Sequence, residues 1–283
     1  MKKNANKRET GKKKSFHMTW TKAIIMIALV LVCTSIAIWN NWINKNPALN
    51  VITVTESNLP ADFDGFRIAH ISDFHNTDNM TDKVIKLLQE AKPDIICISG
   101  DLVDVKNNNP EAAWAFIEKA MGVAQCYFVT GDHEKQLPAK QFDTLLEGLA
   151  DRGVILLDKE IFRRNDSEIV LLGDFHGDAM EEEIMPGYEG YNIFLTHNSE
   201  ETDYYTAAKY DLVLSGHTHG GIFRLPFVGG IYAPGQGFFP KYDAGHYTMG
   251  STDLVVNRGI GNSVVPFRFN NQPEVLLVEL CCE

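Results

Sequence analysis

Residues 66–75 read FRIAHISDFH and residues 94–104 read DIICISGDLVD. Each begins as a short β-branched, apolar run and stops abruptly at a carboxylate. The first run, 66–71, ends at Ser72-Asp73, with His75 two residues on. The second, 94–99, ends at Gly100-Asp101, with Asp104 three residues further. Continuous apolar runs of this length are the mark of strands buried on both faces, as in an α/β sheet. The pattern repeats outward along the chain. Residues 125–130 (QCYFVT) end at Gly131-Asp132-His133-Glu134, and residues 169–172 end at Gly173-Asp174. Residues 191–196 (YNIFLT) end at His197, and residues 211–215 (DLVLS) end at Gly216-His217-x-His219. Helical spacing of Val84, Leu87, Leu88 and Ala91 predicts a helix over 81–91, closed by Pro93. Further helices are expected over 111–121 and 139–150, and late strands over 254–257 and 274–280. No sequence repeat and no second folded domain is evident.

In α/β sheets ligands bind at the carboxyl ends of the strands, and here five of these runs, ending at Asp73, Asp101, Asp132, His197 and His217, deliver Asp or His in series to that edge. Carboxylates supply charge and imidazoles directed nitrogen ligation, the donor types that hold divalent ions. Asp73 and His75 flank one residue, as do His217 and His219, so each pair can point the same way. The glycines before Asp101, Asp132 and His217 are expected to let the backbone turn without a Cβ clash. Two ions about 3.5–4 Å apart clamp a phosphoryl oxygen and acidify water for in-line attack. His176 is expected to be a loop residue near this edge and not a ligand.

The chain has 283 residues and a net charge of -11, unevenly spread. Residues 1–22 hold eight Lys or Arg against the single acid Glu9, leaving 18 basic and 36 acidic residues in the rest. An acidic body argues against a nucleic-acid partner. The basic tail leads into an uncharged apolar span, 23–43, long enough to cross a bilayer and flanked by Trp20, Trp39 and Trp42. The positive-inside bias puts the N-terminus in the cytoplasm and the rest outside. A cleaved signal peptide, with a small-x-small site at Ser35-Ile36-Ala37, is the alternative. The length of the apolar run favours an uncleaved, single-pass cell-membrane anchor. The expected organisation is therefore a basic cytoplasmic tail (1–22), an anchor (23–43), a linker and first strand (44–65), and a catalytic domain (66–283). The five cysteines are scattered; Cys97 and Cys126 read as core thiols, and Cys281 and Cys282 as an adjacent pair open to oxidation.

The ordered series resembles the calcineurin-like metallophosphoesterase superfamily, whose pattern is Asp-x-His, Gly-Asp-x-x-Asp, Gly-Asn-His-Asp/Glu, His and Gly-His-x-His. The stretch from His217 to Gly221, with Arg224-Leu-Pro226, Tyr232-Ala-Pro-Gly-Gln236 and Asn257-Arg-Gly259, is similar to a branch of bacterial membrane-anchored phosphoesterases. Some members of that branch are linked to UDP-2,3-diacylglucosamine pyrophosphate hydrolysis. The resemblance implies two mixed β-sheets packed as a sandwich flanked by helices. It implies a first ion on Asp73, His75, Asp101 and His219, and a second on Asp101, Asp132, His197 and His217. A hydroxide bridging the ions would attack, and His133 would act as general acid or stabilise the phosphoryl charge. Glu134 or the neighbourhood of Asp101 would orient His133, and Asp104 would fix the loop. The family's usual Asn is Asp132 here, which adds a third carboxylate and favours harder ions: Mn²⁺ first, with Zn²⁺, Fe or Mg²⁺ as the others.

Arg224, Arg258 and Arg268 are candidate phosphate clamps, with surface ion pairs as the competing role. The segment 220–250 is rich in Gly, Pro and aromatics; it reads equally as one wall of the site and as a loop packed on itself. A phosphodiester or pyrophosphate in a lipid-linked or nucleotide-sugar substrate is expected, with no obligate protein partner. A phosphoprotein phosphatase and a non-catalytic metal-binding module are the alternatives.

Overall fold

In a computed structural model, residues 19–175, 188–262 and 265–283 are described. Most of the basic tail, and His176, lie outside these residues. The chain divides into two compact units at the Trp39/Asn40 boundary. Helix α1, Trp20–Asn44, is long and apolar enough to cross a membrane, and its side chains are exposed as far as Trp39. Its last turn belongs to the second unit. There Asn40 and Asn44 each donate to the Arg268 carbonyl at 2.8 Å, and the Asn40 side chain accepts from Asn270 N at 2.9 Å.

The second unit is α/β and layered, as expected. Its strands are β1 Ala48–Glu56, β2 Phe66–Ile71, β3 Ile95–Ser99, β4 Gln125–Val129, β5 Ile155–Leu156, β6 Lys159–Arg164, β7 Ser167–Gly173, β8 Tyr191–Leu195 and β9 Leu212–Ser215. Short hairpin strands follow: β10 Arg224–Leu225, β11 Gly229–Gly230, β12 Tyr232–Ala233 and β13 Gly237–Phe238. The chain closes with β14 Gly245–Met249, β15 Thr252–Val256 and β16 Glu274–Cys282. One six-stranded sheet has the order β1-β16-β2-β3-β4-β5 and the other β14-β15-β9-β8-β7-β6. Both are mixed: β2 to β5 run parallel while β16 pairs antiparallel with β2, and β7, β8, β9 and β15 run parallel between antiparallel edges. The segment 44–65 contributes β1, which pairs with β16 along its whole length from Ala48↔Glu274 to Glu56↔Cys282.

Side-chain alternation sorts each strand between two cores. Ile68, Ile95, Cys97, Tyr127 and Val129 from the first sheet meet Ile169, Leu171, Ile193, Leu195, Leu212 and Leu214 from the second. The intervening Ala69, Ile71, Ile96, Ile98, Cys126 and Phe128 face outward onto helices α2 Thr81–Ala91, α3 Glu111–Met121 and α5 Ala139–Asp151, α4 being the single turn Asp132–Lys135. Across the molecule, Val170, Leu172, Phe194 and Val213 meet Tyr204, Tyr205 and Ala208 of helix α6, Thr202–Ala208. Helix, sheet, sheet and helix are thus four layers with every central strand buried on both faces. That burial is the reason the strands read as uninterrupted apolar runs.

Helix α2 buries Val84, Ile85, Leu88 and Ala91, one stripe at helical spacing, and ends at Lys92 in the left-handed conformation ahead of Pro93. Past the strand ends the backbone stays cross-tied. Asp73 N, His75 N and Asn76 N donate to the carbonyls of Gly100, Asp101 and Leu102 at 3.0–3.1 Å, and Gly216 N donates to His197 O at 3.1 Å. The loops that carry the ligand-type residues are therefore an extension of the sheets.

Candidate metal centre

Asp73, His75, Asp101, Asp132, His133, His197, His217 and His219 are brought to one place, with Asp104 and Glu134 in supporting positions, whereas Asp174 faces Thr196 and is not among them. Asp73, His75 and His219 present ligand atoms to one another, as do Asp132, His197 and His217. His219 Nε2 is 3.5 Å from Asp73 Oδ1, and His217 Nδ1 is 3.6 Å from Asp132 Oδ2 and 3.0 Å from His197 Nε2. Asp101 joins the two groups through a single oxygen. Its Oδ2 is 3.6 Å from His75 Nε2 and 3.5 Å from His197 Nε2.

The backbone at these positions is unusual. Asp73, His75, Asp101, His217 and His219 all have positive φ, between 46° and 70°, where non-glycine residues are uncommon. Five ligand-type residues held in this sparsely populated region mark a site where the fold over-determines local strain. The preceding glycines serve two different needs. Gly100 has φ 84° and supplies the expected turn. Gly131 and Gly216 do not have positive φ; they leave room. A Cβ on Gly216 would sit 2.8 Å from Asp73 Oδ2 and nearer still to Ser72 Oγ, and one on Gly131 would sit 2.9 Å from His197 Cε1.

Whether these residues suit metal ions is tested by what they lack. Asp73 Oδ1, His75 Nδ1 and His75 Nε2 are buried with no hydrogen-bond partner. Buried polar atoms without partners are rare and costly, and two of these face the other ligand-type atoms. The donor set of carboxylate oxygens and imidazole nitrogens completes a good fit to a pair of divalent ions. Burial, the largest influence, draws His75 down to about 4 and His219 well below the ordinary imidazole range, so both are neutral and able to ligate. Burial also works against the Asp101 carboxylate, yet its neighbouring imidazoles, His197 foremost, hold it well below the usual range.

Around this centre sits a shell of fixed contacts. Glu134 accepts from Asp101 N and Gly131 N at 2.8 Å and from Val103 N at 3.0 Å. It therefore ties the loop after β3 to the loop after β4, while His133 N donates to Asp101 Oδ1 at 2.8 Å. Toward His133 the near groups are Val105 N, which donates to Nδ1 at 3.1 Å, and Asp104 Oδ1 at 3.8 Å. Asp104 also accepts from Lys106 N at 2.7 Å, holding its loop. His197 Nδ1 is 2.7 Å from the Ser99 carbonyl, which leaves Nε2 for the centre.

The arginines divide. Arg224 is 3.0 Å from Asp243 and donates to Gly220 O, and Arg258 lies 3.7 Å from Glu274, so each already faces a carboxylate. Arg268 is fully buried beside the centre, 3.3 Å from His219 Nδ1, and donates to the Arg258 and Gly261 carbonyls. Its burial is the feature the sequence does not show, because carbonyls with no sequence signature neutralise its donors. Arg268 and His219 share a cavity of about 240 Å³ with Ile222, Tyr232, Pro234 and Val265.

Comparison with known proteins matches residues 66–221 to the family model described as calcineurin-like phosphoesterase. The chain is 31% identical over 250 residues to the uncharacterized metallophosphoesterase YkuE of Bacillus subtilis, covering 81% of this chain and 83% of that one. It is 28% identical over 228 residues to phosphodiesterase YaeI of Escherichia coli, covering 76% and 82%. It is 24% identical over 276 residues to a transmembrane protein with metallophosphoesterase domain from Danio rerio, covering 89% of this chain and 62% of that one.

Proposed function

The chain belongs to the calcineurin-like phosphoesterase family, metal-dependent hydrolases of phosphoesters. From that premise we propose that it cleaves a phosphodiester or pyrophosphate bond in a lipid-linked or nucleotide-sugar substrate, from a domain anchored outside the membrane by α1. One observation carries the reading: Asp101 Oδ2 faces His75 on one side and His197 on the other at nearly equal distance. That is the disposition of a carboxylate shared between two ions. The first ion would be held by Asp73, His75, Asp101 and His219, and the second by Asp101, Asp132, His197 and His217. Such a pair supplies Lewis acidity toward phosphoryl oxygens and lowers the pKa of water near neutral pH.

The protein's own groups shape the rest. Val105 N–H donates to His133 Nδ1, so the proton of the neutral ring sits on Nε2. In that tautomer His133 is a hydrogen-bond donor to the charge that develops on the phosphoryl or leaving oxygen. The family likeness and a relative named as a phosphodiesterase support the reaction class. The largely apolar cavity beside His219 supports a substrate with an apolar portion. Three carboxylates in the donor set favour Mn²⁺ over softer ions.

The test is hydrolysis of bis-p-nitrophenyl phosphate by the full chain, stripped and reloaded with Mn²⁺, Mg²⁺ or Zn²⁺. Metal-dependent turnover, lost in Asp101→Asn and reduced in His133→Ala, is the expected result. Equal turnover in the stripped protein would sink the reading. Asp132→Asn is expected to keep turnover and to move the metal ranking toward Zn²⁺.

A further inference from the structure

The hairpins after the last ligand-type histidine present an apolar surface to solvent. Residues 225–240 read LPFVGGIYAPGQGFFP and contain no charge. Leu225, Phe227, Val228, Phe238 and Phe239 from this run are exposed, together with Phe267; Leu225 is 45% exposed and Phe227 fully so. These residues belong to one surface. β10 pairs with β11 and β12 with β13. Ile231 N donates to Phe223 O at 2.8 Å, Phe239 N donates to Ile231 O at 2.9 Å, and the Phe223 and Phe267 rings are 5.3 Å apart. Soluble surfaces rarely gather this many large apolar groups without a partner.

The backbone adds an independent sign. Phe227 and Phe239 have φ 67° and 56°, a conformation that is strained for a bulky residue. In both, the strained residue is also one of the most exposed, so the strain is not repaid by packing within the chain.

The chain itself points to the occupant. Phe267 precedes Arg268, whose carbonyl holds Asn40 and Asn44 in the last turn of the apolar helix, and Asn270 N binds Asn40. The residues that directly follow the apolar span in the chain are therefore held by the same segment that supplies Phe267. The apolar phase within reach is the bilayer that the span enters.

We propose that these hairpins and Phe267 are a membrane-seating surface, a second contact with the bilayer made by the domain. Seated there, the cavity formed by Ile222, Tyr232, Pro234 and Val265 with His219 would lie at the lipid interface, where a lipid-linked phosphoester could enter without crossing water. The inference rests on α1 being a membrane anchor and does not depend on hydrolysis.

The test uses the full chain in nanodiscs, made with ordinary or bromine-labelled phosphatidylcholine. Phe227→Trp and Phe239→Trp each add emission to that of the parent. Seating predicts that brominated lipid quenches the added emission by roughly half or more, as for a side chain at the headgroup and acyl boundary. Arg163→Trp, at the opposite end of the second sheet, should add emission that bromine leaves unchanged. Quenching of the parent's own Trp39 and Trp42 reports the anchor separately. If those are quenched while the added emission stays intense and solvent-like, seating is overturned and anchoring stands. Added emission that shifts to the blue without quenching, and only in discs holding two chains, would overturn seating in favour of a second copy as the occupant.

Discussion

At the carboxyl ends of the strands Asp73, Asp101 and Asp132 sit among five imidazoles, His75, His133, His197, His217 and His219. At the opposite ends Glu56, Asp211 and Asp253 face one another, with Asn58 2.6 Å from Asp211 and His246 3.1 Å from Asp253. The first group is the more deeply buried, yet Asp101 is held well below the usual carboxylate range. The second is nearer water, yet burial and the charge of Asp253 push Glu56 up to about 7. Burial pushes both acids up; at Asp101 the neighbouring imidazoles outweigh it, and at Glu56 the neighbouring acids add to it. An acid that faces mainly other acids takes up a proton, whereas one that faces imidazoles able to carry charge stays ionised.

The contrast is broken most severely by Asp101→Asn, which removes the carboxylate common to both groups. Turnover should fall roughly a thousandfold or more, with bound metal dropping below two per chain by elemental analysis. A rate within tenfold of the parent would refute the shared role. Next in size is removal of metal. A chelator should lower the melting temperature of the parent by roughly 6–12 °C, the equivalent of metal at about 100–1,000 times its Kd. The same chelator should barely move Asp101→Asn, as scanning calorimetry would show.

Glu134→Ala tests the frame around the site. Three backbone N–H groups would lose their acceptor, at a cost of about 3 kcal/mol, read as a lower urea midpoint at unchanged slope. An unchanged midpoint would mean that the loops after β3 and β4 are fixed without it.

The smallest effect belongs to the other end of the strands. Glu56 titrates at 4.5 when unperturbed and at about 7 in the fold, so the folded chain holds an extra proton between those values. Below pH 4.5 the carboxyl is protonated in both states and Glu56→Gln should match the parent. As pH rises toward 7 the parent loses stability that Glu56→Gln keeps. Above 7 the variant should be more stable by about 1 kcal/mol, since Glu56 is partly exposed and water screens its neighbours. A variant less stable than the parent at pH 8 would show the acids at that end to be attractive partners.

Much of this was legible because burial on both faces makes a strand an unbroken apolar run. Its end then shows as an abrupt Asp, Gly-Asp or His, so the residues of the centre could be picked out in order. The edges were less visible. β6 reads KEIFRR, with charges on its exposed side, and β1 alternates as LNVITVTE, because edge strands are only half covered. The short hairpins from Arg224 to Phe238 have no period to detect. The left-handed backbone of Asp73, His75, Asp101, His217 and His219 leaves no trace in residue type. The burial of Arg268 depends on carbonyls, which every residue has.

The pairing of β1 with β16 has a mechanical consequence. The strand that follows the apolar helix runs parallel to the last strand in unbroken register over nine residues. Tension drawn from the N-terminal side acts along this ladder, so its hydrogen bonds are loaded together in shear and are not peeled one at a time. If the apolar helix tethers the chain to a membrane, a pull on it would therefore load this ladder first. The loops that carry the histidines, at the far side of β16 and beyond, would be spared.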